Sequence, residues 1–143
     1  MSQSLDTPPT TATENATAKL VLVQSDNLCL AFSVNRVQEV LLKASVTKQK
    51  NNSITQYKDL IVPVLFGHHI CPEMPEVPII LCQSALIKGG FLAIACSVLP
   101  KLTEIAPQDW IEVPALPAPW QSNGKGCEFE QITYTYTSGI GKG

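Results

Sequence analysis

Apolar positions along this chain come in short runs separated by polar clusters rich in turn formers, and no run keeps helical spacing for long. From Lys19, "KLVLVQS" and "LCLAFSV" flank Asp26-Asn27 and predict two strands joined by a tight hairpin. Consecutive residues in both runs are apolar, so both faces of each strand are expected to be buried, as in a barrel or sandwich. Val37-Gln38-Glu39-Val40 then shows one short turn of helical spacing. "ASVTK" and "YKDLIVPVLF" predict further strands, with "KQKNNSITQ" between them as a polar, mobile loop. Pro63 marks an edge or a bulge in the second of these. "FGHHICPEMPEVP", with Gly67 and Pro72, Pro75 and Pro78, predicts a long connection that divides the chain into two comparable halves.

Beyond it, "VPIILCQSALI" and "GFLAIACSV" around Lys88-Gly89-Gly90 repeat the hairpin logic. Leu99, Leu102 and Ile105 recur at spacing three, and Pro100 and Pro107 limit the helix they predict to about two turns. "QSNGKG" is a turn cluster, and the alternation in "CEFEQITYTYT" predicts one half-exposed strand. Residues 1–18, dominated by Thr, Ser, Ala and Pro, lack a periodic apolar pattern and predict a disordered tail. The folded domain is expected over residues 19–137, with a flexible terminus over 138–143. About six to eight short strands and no long helix make the chain all-β, built as small barrels or a sandwich.

Composition narrows what such a domain does. A formal net charge of −2, from ten basic and twelve acidic residues, gives no reason to expect nucleic acid or an anionic membrane as partner. Only 15% of residues are charged against 45% hydrophobic, a balance that leaves apolar surface for protein contacts. The longest apolar runs are strand-sized, so no membrane insertion is expected, and the N-terminus lacks a signal-peptide pattern. The cysteines are odd in number, and Cys29, Cys82 and Cys96 sit inside apolar runs, which predicts reduced thiols and a cytoplasmic protein.

Candidate chemistry is sparse. His68, His69 and Cys71 are the one cluster of metal-type ligands, but neighbours on a strand face opposite ways and no second pair completes a tetrahedral site. An exposed loop without metal is the expectation. No glycine-flanked nucleophile surrounds a serine or cysteine, and the glycines at 88–90 and 124–127 join strands without the helix a phosphate cradle needs. The carboxylate pairs Glu73 with Glu76 and Glu128 with Glu130 lie in solvated segments. The chain is therefore expected to be no enzyme and to need no cofactor. Trp110, Trp120, Tyr134 and Tyr136 serve either as a protein-binding surface or as packing lids.

The order of these features resembles the CheW-like domain, the adaptor domain of bacterial chemotaxis arrays that also ends the chemotaxis histidine kinase. In that family a first hairpin leads to a Val-x-Glu-Val/Ile segment, a Val-Thr strand, and a strand with Arg-Gly followed by Pro-Val/Ile. The counterparts are Val37-Gln38-Glu39-Val40, Val46-Thr47, and Lys58-Asp59 followed by Pro63-Val64. The resemblance covers about Lys19 to Pro117. It implies two small five-stranded, SH3-like barrels packed on a shared core. It further implies that the Val-Gln-Glu-Val turn marks where the chain leaves one sheet, burying Val37 and Val40 and presenting Gln38 and Glu39. Val37, Gln38, Glu39, Lys58 and Asp59 would lie at a partner-binding surface. The implied role is adaptor between a receptor and a histidine kinase in chemotaxis, phototaxis or pilus motility. A CheW-fold assembly subunit of a motility complex is the alternative. Lys58-Asp59 stands where the family has Arg-Gly, which exchanges a forked guanidinium for an ammonium and removes a glycine free to take positive φ.

Overall fold

A computed structural model describes residues 17–87 and 90–141; of the tail expected over residues 1–18, residues 1–16 lie outside the described residues and Ala18 already begins a strand. The chain forms strands β1 (Ala18–Ser25), β2 (Leu28–Ser33), β3 (Val37–Gln49), β4 (Asn52–Tyr57), β5 (Leu60–Phe66), β6 (His69–Ile70) and β7 (Met74–Gln83). These are followed by β8 (Phe91–Ala95), β9 (Lys101–Ile105), β10 (Ile111–Glu112), β11 (Trp120–Phe129) and β12 (Ile132–Ile140). The helical content among the described residues is two single 3-10 turns, Val34–Arg36 and Pro107–Asp109. The all-β class is as the sequence predicts.

The strands form two units. β4-β3-β7-β8-β5 closes on itself through β4–β5 pairing and makes a five-stranded barrel, with β6 as a short flap on β5. The second unit is a curled open sheet ordered β10-β11-β12-β2-β1-β9. The units are not the two halves expected from the proline-rich segment around Pro72. The barrel uses the middle of the chain, and both ends build the sheet. "CPEMPEVP" is no long connection either, because β7 begins at Met74, inside it.

Strict alternation explains why so many runs are apolar throughout. Successive residues on a strand face opposite ways. On β7, Val77, Ile79 and Leu81 point into the barrel, whereas Ile80 and Cys82 point into a core between the two units. β8 divides likewise, with Ala93 and Ala95 in the barrel and Leu92 and Ile94 between the units. On β1, Val21 and Val23 face the shared core, and Leu20 and Leu22 face a third core inside the curled sheet with Cys127, Tyr134 and Tyr136. Thus a central layer of Val21, Val23, Leu30, Phe32, Ile80, Leu92, Ile94 and Trp120 fuses the units.

Polar bonds reinforce that joint. The indole N–H of buried Trp120 donates to the Gly67 carbonyl at 3.0 Å, and its ring meets Phe32 edge to face at 5.9 Å. The Gly67 N–H donates to Ser25 Oγ at 2.7 Å, and the Ser25 hydroxyl donates to the Ala95 carbonyl. A Cβ at Gly67, whose φ is +63°, would come within 2.9 Å of the Asp26 Cβ, so glycine alone fits there. Trp120, Tyr134 and Tyr136 are therefore core residues, and half-buried Trp110 packs edge-on against Tyr136 at 5.6 Å.

Several local expectations are overturned. The polar stretch "KQKNNSITQ" is no loop: Thr47, Lys48 and Gln49 pair with Ile54, Ser53 and Asn52 around a tight turn at Lys50-Asn51. "QSNGKG" lies within β11, where a register shift between Ser122 and Gly126 absorbs Asn123 and Gly124 as a bulge. The single strand expected for "CEFEQITYTYT" is a hairpin turning at Glu130-Gln131, both at positive φ. Leu102 and Ile105 form β9 instead of a helix and face opposite sides, since Pro100 and Pro107 leave too few residues for a stable helix. Ser138, Gly139 and Ile140, expected to be flexible, finish β12. Pro63 sits where β5 exchanges partners, after pairing with β4 over Leu60–Pro63 and before meeting β8 at Val64.

Candidate functional site

The chain leaves the curled sheet at Ser33 and enters the barrel at Val37, through a 3-10 turn over Val34–Arg36. Ser33 caps that turn, its Oγ accepting from the Asn35 N–H at 3.3 Å. The crossover falls where the resemblance implies, but Val37-Gln38-Glu39-Val40 is itself strand, the start of β3. The burial pattern differs accordingly. Val37, opposite Cys82, is half-buried against the shared core, whereas Val40 is 38% exposed and not a core residue. Irregular register between Val37 and Glu39 places Gln38 and Glu39 side by side on the surface.

Glu39 is exposed yet held. Its carboxylate accepts from the Tyr57 hydroxyl at 2.7 Å. Tyr57 ends β4, is itself buried, and meets Phe91 edge to face at 5.9 Å, so the bond ties a surface carboxylate to the barrel wall. Lys58 and Asp59 form the next turn, and the Lys58 ammonium lies 5.2 Å from the centre of the Tyr57 ring. Two of the five sequence-derived site residues, Glu39 and Lys58, thus meet at Tyr57, with Gln38 and Asp59 their neighbours in the chain. Val37 lies apart, at the joint of the two units. In the Lys58-Asp59 turn the left-handed residue is Lys58, with φ 54°, and not Asp59 where the family glycine would stand.

Sequence reasoning missed Tyr57, the hub of this cluster. Its signal was adjacency: an aromatic ending the strand directly before Lys58-Asp59. Also unforeseen is that β3 divides two concavities. On one side Leu41, Lys43, Tyr57, Lys58 and Ile61 help line an open hollow of about 560 Å³, polar and apolar in equal parts. On the other, Val40, Leu42, Leu99 and Leu102, with Val21 and Pro100, line an apolar groove of about 260 Å³. Leu102, directly opposite Val21 in register, carries the shared apolar face onto the surface and is 73% exposed.

The metal-type cluster is partly assembled. The turn at Gly67-His68 brings the His68 and His69 rings to 3.9 Å, contrary to the expectation that neighbours diverge, since only His69 is on a strand. Cys71, however, is wholly buried in the barrel core, and burial pushes its thiol up to about 11. Among the described residues no group of three His, Cys, Asp or Glu side chains comes together. Burial likewise raises Cys127 to about 11 and Cys96 to about 12, so these thiols stay protonated and poorly nucleophilic near neutrality. All five cysteines are free. No helix among the described residues is long and apolar enough to cross a membrane.

No protein-family model and no curated protein matches the chain by sequence. Among solved structures it is similar to the crystal structure of the scaffolding protein TtCheW from Thermoanaerobacter tengcongensis. The TM-score is 0.60 at 14% identity, over 85% of this chain and 89% of that one. The fold is CheW-like: a closed five-stranded barrel and a curled half-barrel sheet on a common core.

Proposed function

We propose that the protein is a non-enzymatic adaptor of a chemotaxis-type signalling pathway, joining a histidine kinase to a chemoreceptor or photoreceptor in the cytoplasm. The observation that carries this reading is the likeness to a scaffolding protein over nearly the whole of both chains. An adaptor acts by geometry, and Glu39 and Lys58, both held against Tyr57, support it with a preorganised polar contact beside an apolar groove. In this reading Glu39 is the partner contact, Tyr57 fixes its rotamer before binding, and Lys58 offers the adjacent positive charge. Such alternation of sign on a small rigid patch selects a partner more than it adds affinity.

A second reading, a CheW-fold assembly subunit of a pilus or other motility complex that no longer binds the kinase, is favoured by one observation. Lys58-Asp59 replaces the Arg-Gly of the resemblance and so removes bidentate pairing at the turn. Calorimetric titration of the full chain with the CheW-like regulatory domain of a chemotaxis kinase separates the two. Micromolar or tighter binding, weakened in Glu39→Lys with an unchanged melting curve, is the adaptor result. No heat from a folded sample moves the weight to the assembly subunit.

A further inference from the structure

Among the described residues, the curled sheet ends in an edge that no further strand pairs. β9 bonds to β1 alone, over Ala18–Leu22 and Lys101–Ile105. The direction of its remaining backbone groups follows from the hairpin beside it. In β1–β2, Ser25 and Leu28 close a two-residue turn and exchange both bonds, so Val23 and Val21 also point their backbone groups toward β2. Leu20 and Leu22 then point theirs toward β9, an alternation that agrees with the 2.7 Å bond from the Ser97 N–H to the Gln24 carbonyl on that side. Their partners are Thr103 and Lys101. The N–H and C=O groups of Leu102 and Glu104 therefore face outward, without a strand to receive them among the described residues.

Natural edges are usually guarded by a charge, a proline or a cover. The guard here is drawn aside. Lys101 lies on the opposite face from Leu102, and its ammonium is held 2.6 Å from the Glu130 carboxylate, above the Phe129 ring. What that face of the edge presents is Leu102, 73% exposed, with exposed Glu104 beside it, flanking a groove with Leu42 at 64% and Leu99 at 58%.

We propose that β9 is a self-association edge: two copies of this chain pair antiparallel, β9 to β9, about a two-fold axis at Leu102. In that register each Leu102 exchanges its outward backbone bonds with the other, and the two side chains, on the same face, cover one another and join the two grooves. Lys101 falls opposite Thr103, and Glu104 opposite Pro100, so no like charges meet directly. Pro100, which has no N–H, ends the ladder. The same residues on both sides satisfy the edge, which is why a second copy is the occupant. This goes beyond the adaptor reading and does not depend on it.

Sedimentation equilibrium of the full chain, with amide hydrogen exchange on the same samples, tests the proposal. The expected result is a monomer–dimer equilibrium in the micromolar range, with the Leu102 and Glu104 amides slowing as dimer accumulates. The Thr103 amide, already bonded to β1, stays protected throughout. Leu102→Lys alters an exposed side chain, keeps the melting temperature measured in dilute solution, and weakens association at least about tenfold by opposing two cations. Leu102→Thr keeps strand propensity and weakens it less. A chain that remains monomeric into the millimolar range overturns the proposal. So does a dimer whose Leu102 and Glu104 amides exchange as fast as the monomer's, or one that both variants leave unchanged.

Discussion

The barrel and the curled sheet share one strand plan, and only one of them closes. In the barrel the order is β3-β7-β8-β5-β4; in the sheet it is β9-β1-β2-β12-β11. Corresponding steps match in direction: β7–β8 and β1–β2 are antiparallel, β5–β8 and β12–β2 are parallel, β4–β5 and β11–β12 are antiparallel hairpins. The difference is the last step. β3 is 13 residues long and returns as β4 through Lys50-Asn51, so closure is a local hairpin. β9 has 5 residues, and the chain then passes through Pro107, Pro114, Pro117 and Pro119 before β11 begins at Trp120. Proline removes the donors a ladder needs. Openness is thus a property of one connection and not of the sheet's core, and it leaves the outer edge of β9 unpaired among the described residues.

If the units are fused by their central layer, breaking that layer should unfold both. Ile80 is fully buried on the barrel side of it. Ile80→Ala is expected to cost ~2–5 kcal/mol and to leave a single cooperative transition in urea, followed by fluorescence and by circular dichroism. Two separated transitions would show that the closed barrel survives alone. Next in size is an alkaline effect common to both units. Cys71 in the barrel and Cys127 in the sheet are both raised from an ordinary 9.0 to about 11 by burial, so the open sheet shields its thiol as well as the barrel does. A raised folded value means stability is intact below pH 9.0 and falls as pH climbs from there toward about 11. Denaturation midpoints across that window check this, and Cys71→Ser with Cys127→Ser should flatten the decline.

How much of this was legible in the sequence follows from how local each signal is. The apolar runs around Asp26-Asn27 and Lys88-Gly89-Gly90 announce hairpins because pattern and turn residues agree. The turn at Glu130-Gln131 was invisible, since neither residue favours positive φ and tertiary packing of Tyr134 and Tyr136 enforces it. Asn123-Gly124 misled in the opposite sense, because a bulge uses the same residues as a turn. The site was half readable. The resemblance pointed to Glu39 and Lys58, but that Tyr57 touches both depends on the start of β3 approaching the end of β4, a contact no local spacing encodes. Val40, which the resemblance implied to be buried, is exposed, and Leu102, expected on a helix, is exposed on a strand at the open edge.

The joint between the units has a polar component that the comparison isolates. Trp120 belongs to the sheet and Gly67 to the barrel's β5–β6 turn, and the indole bond at 3.0 Å links them. Trp120→Phe keeps much of the ring packing on Phe32 but leaves the Gly67 carbonyl without its donor. A loss of ~1–3 kcal/mol is expected from an unsatisfied buried acceptor. Faster exchange of the Gly67 amide, whose N–H is held by Ser25, should accompany it. Unchanged stability would mean that apolar burial alone holds the units together.

The smallest effect bears on closure itself. Lys50 takes φ 57° in the turn that returns β3 as β4, a conformation strained for a side chain with a Cβ. Lys50→Gly removes that strain, and it also loosens the unfolded chain, so the two contributions oppose one another. With φ already in the left-handed region, relief should win, stabilising the protein by ~0.5–1 kcal/mol and slowing exchange of the Lys48 amide, which donates to Glu73 from this arm of the hairpin. The same change at Glu130, φ 51° in the β11–β12 hairpin of the sheet, should stabilise less. Glycine there relieves the same torsion, but Glu130 also accepts from Lys101, and its loss frees the ammonium beside β9. A charge released at that edge should in turn weaken pairing between copies, so Glu130→Gly would raise stability slightly while lowering the dimer fraction, whereas Lys50→Gly would leave the dimer fraction alone.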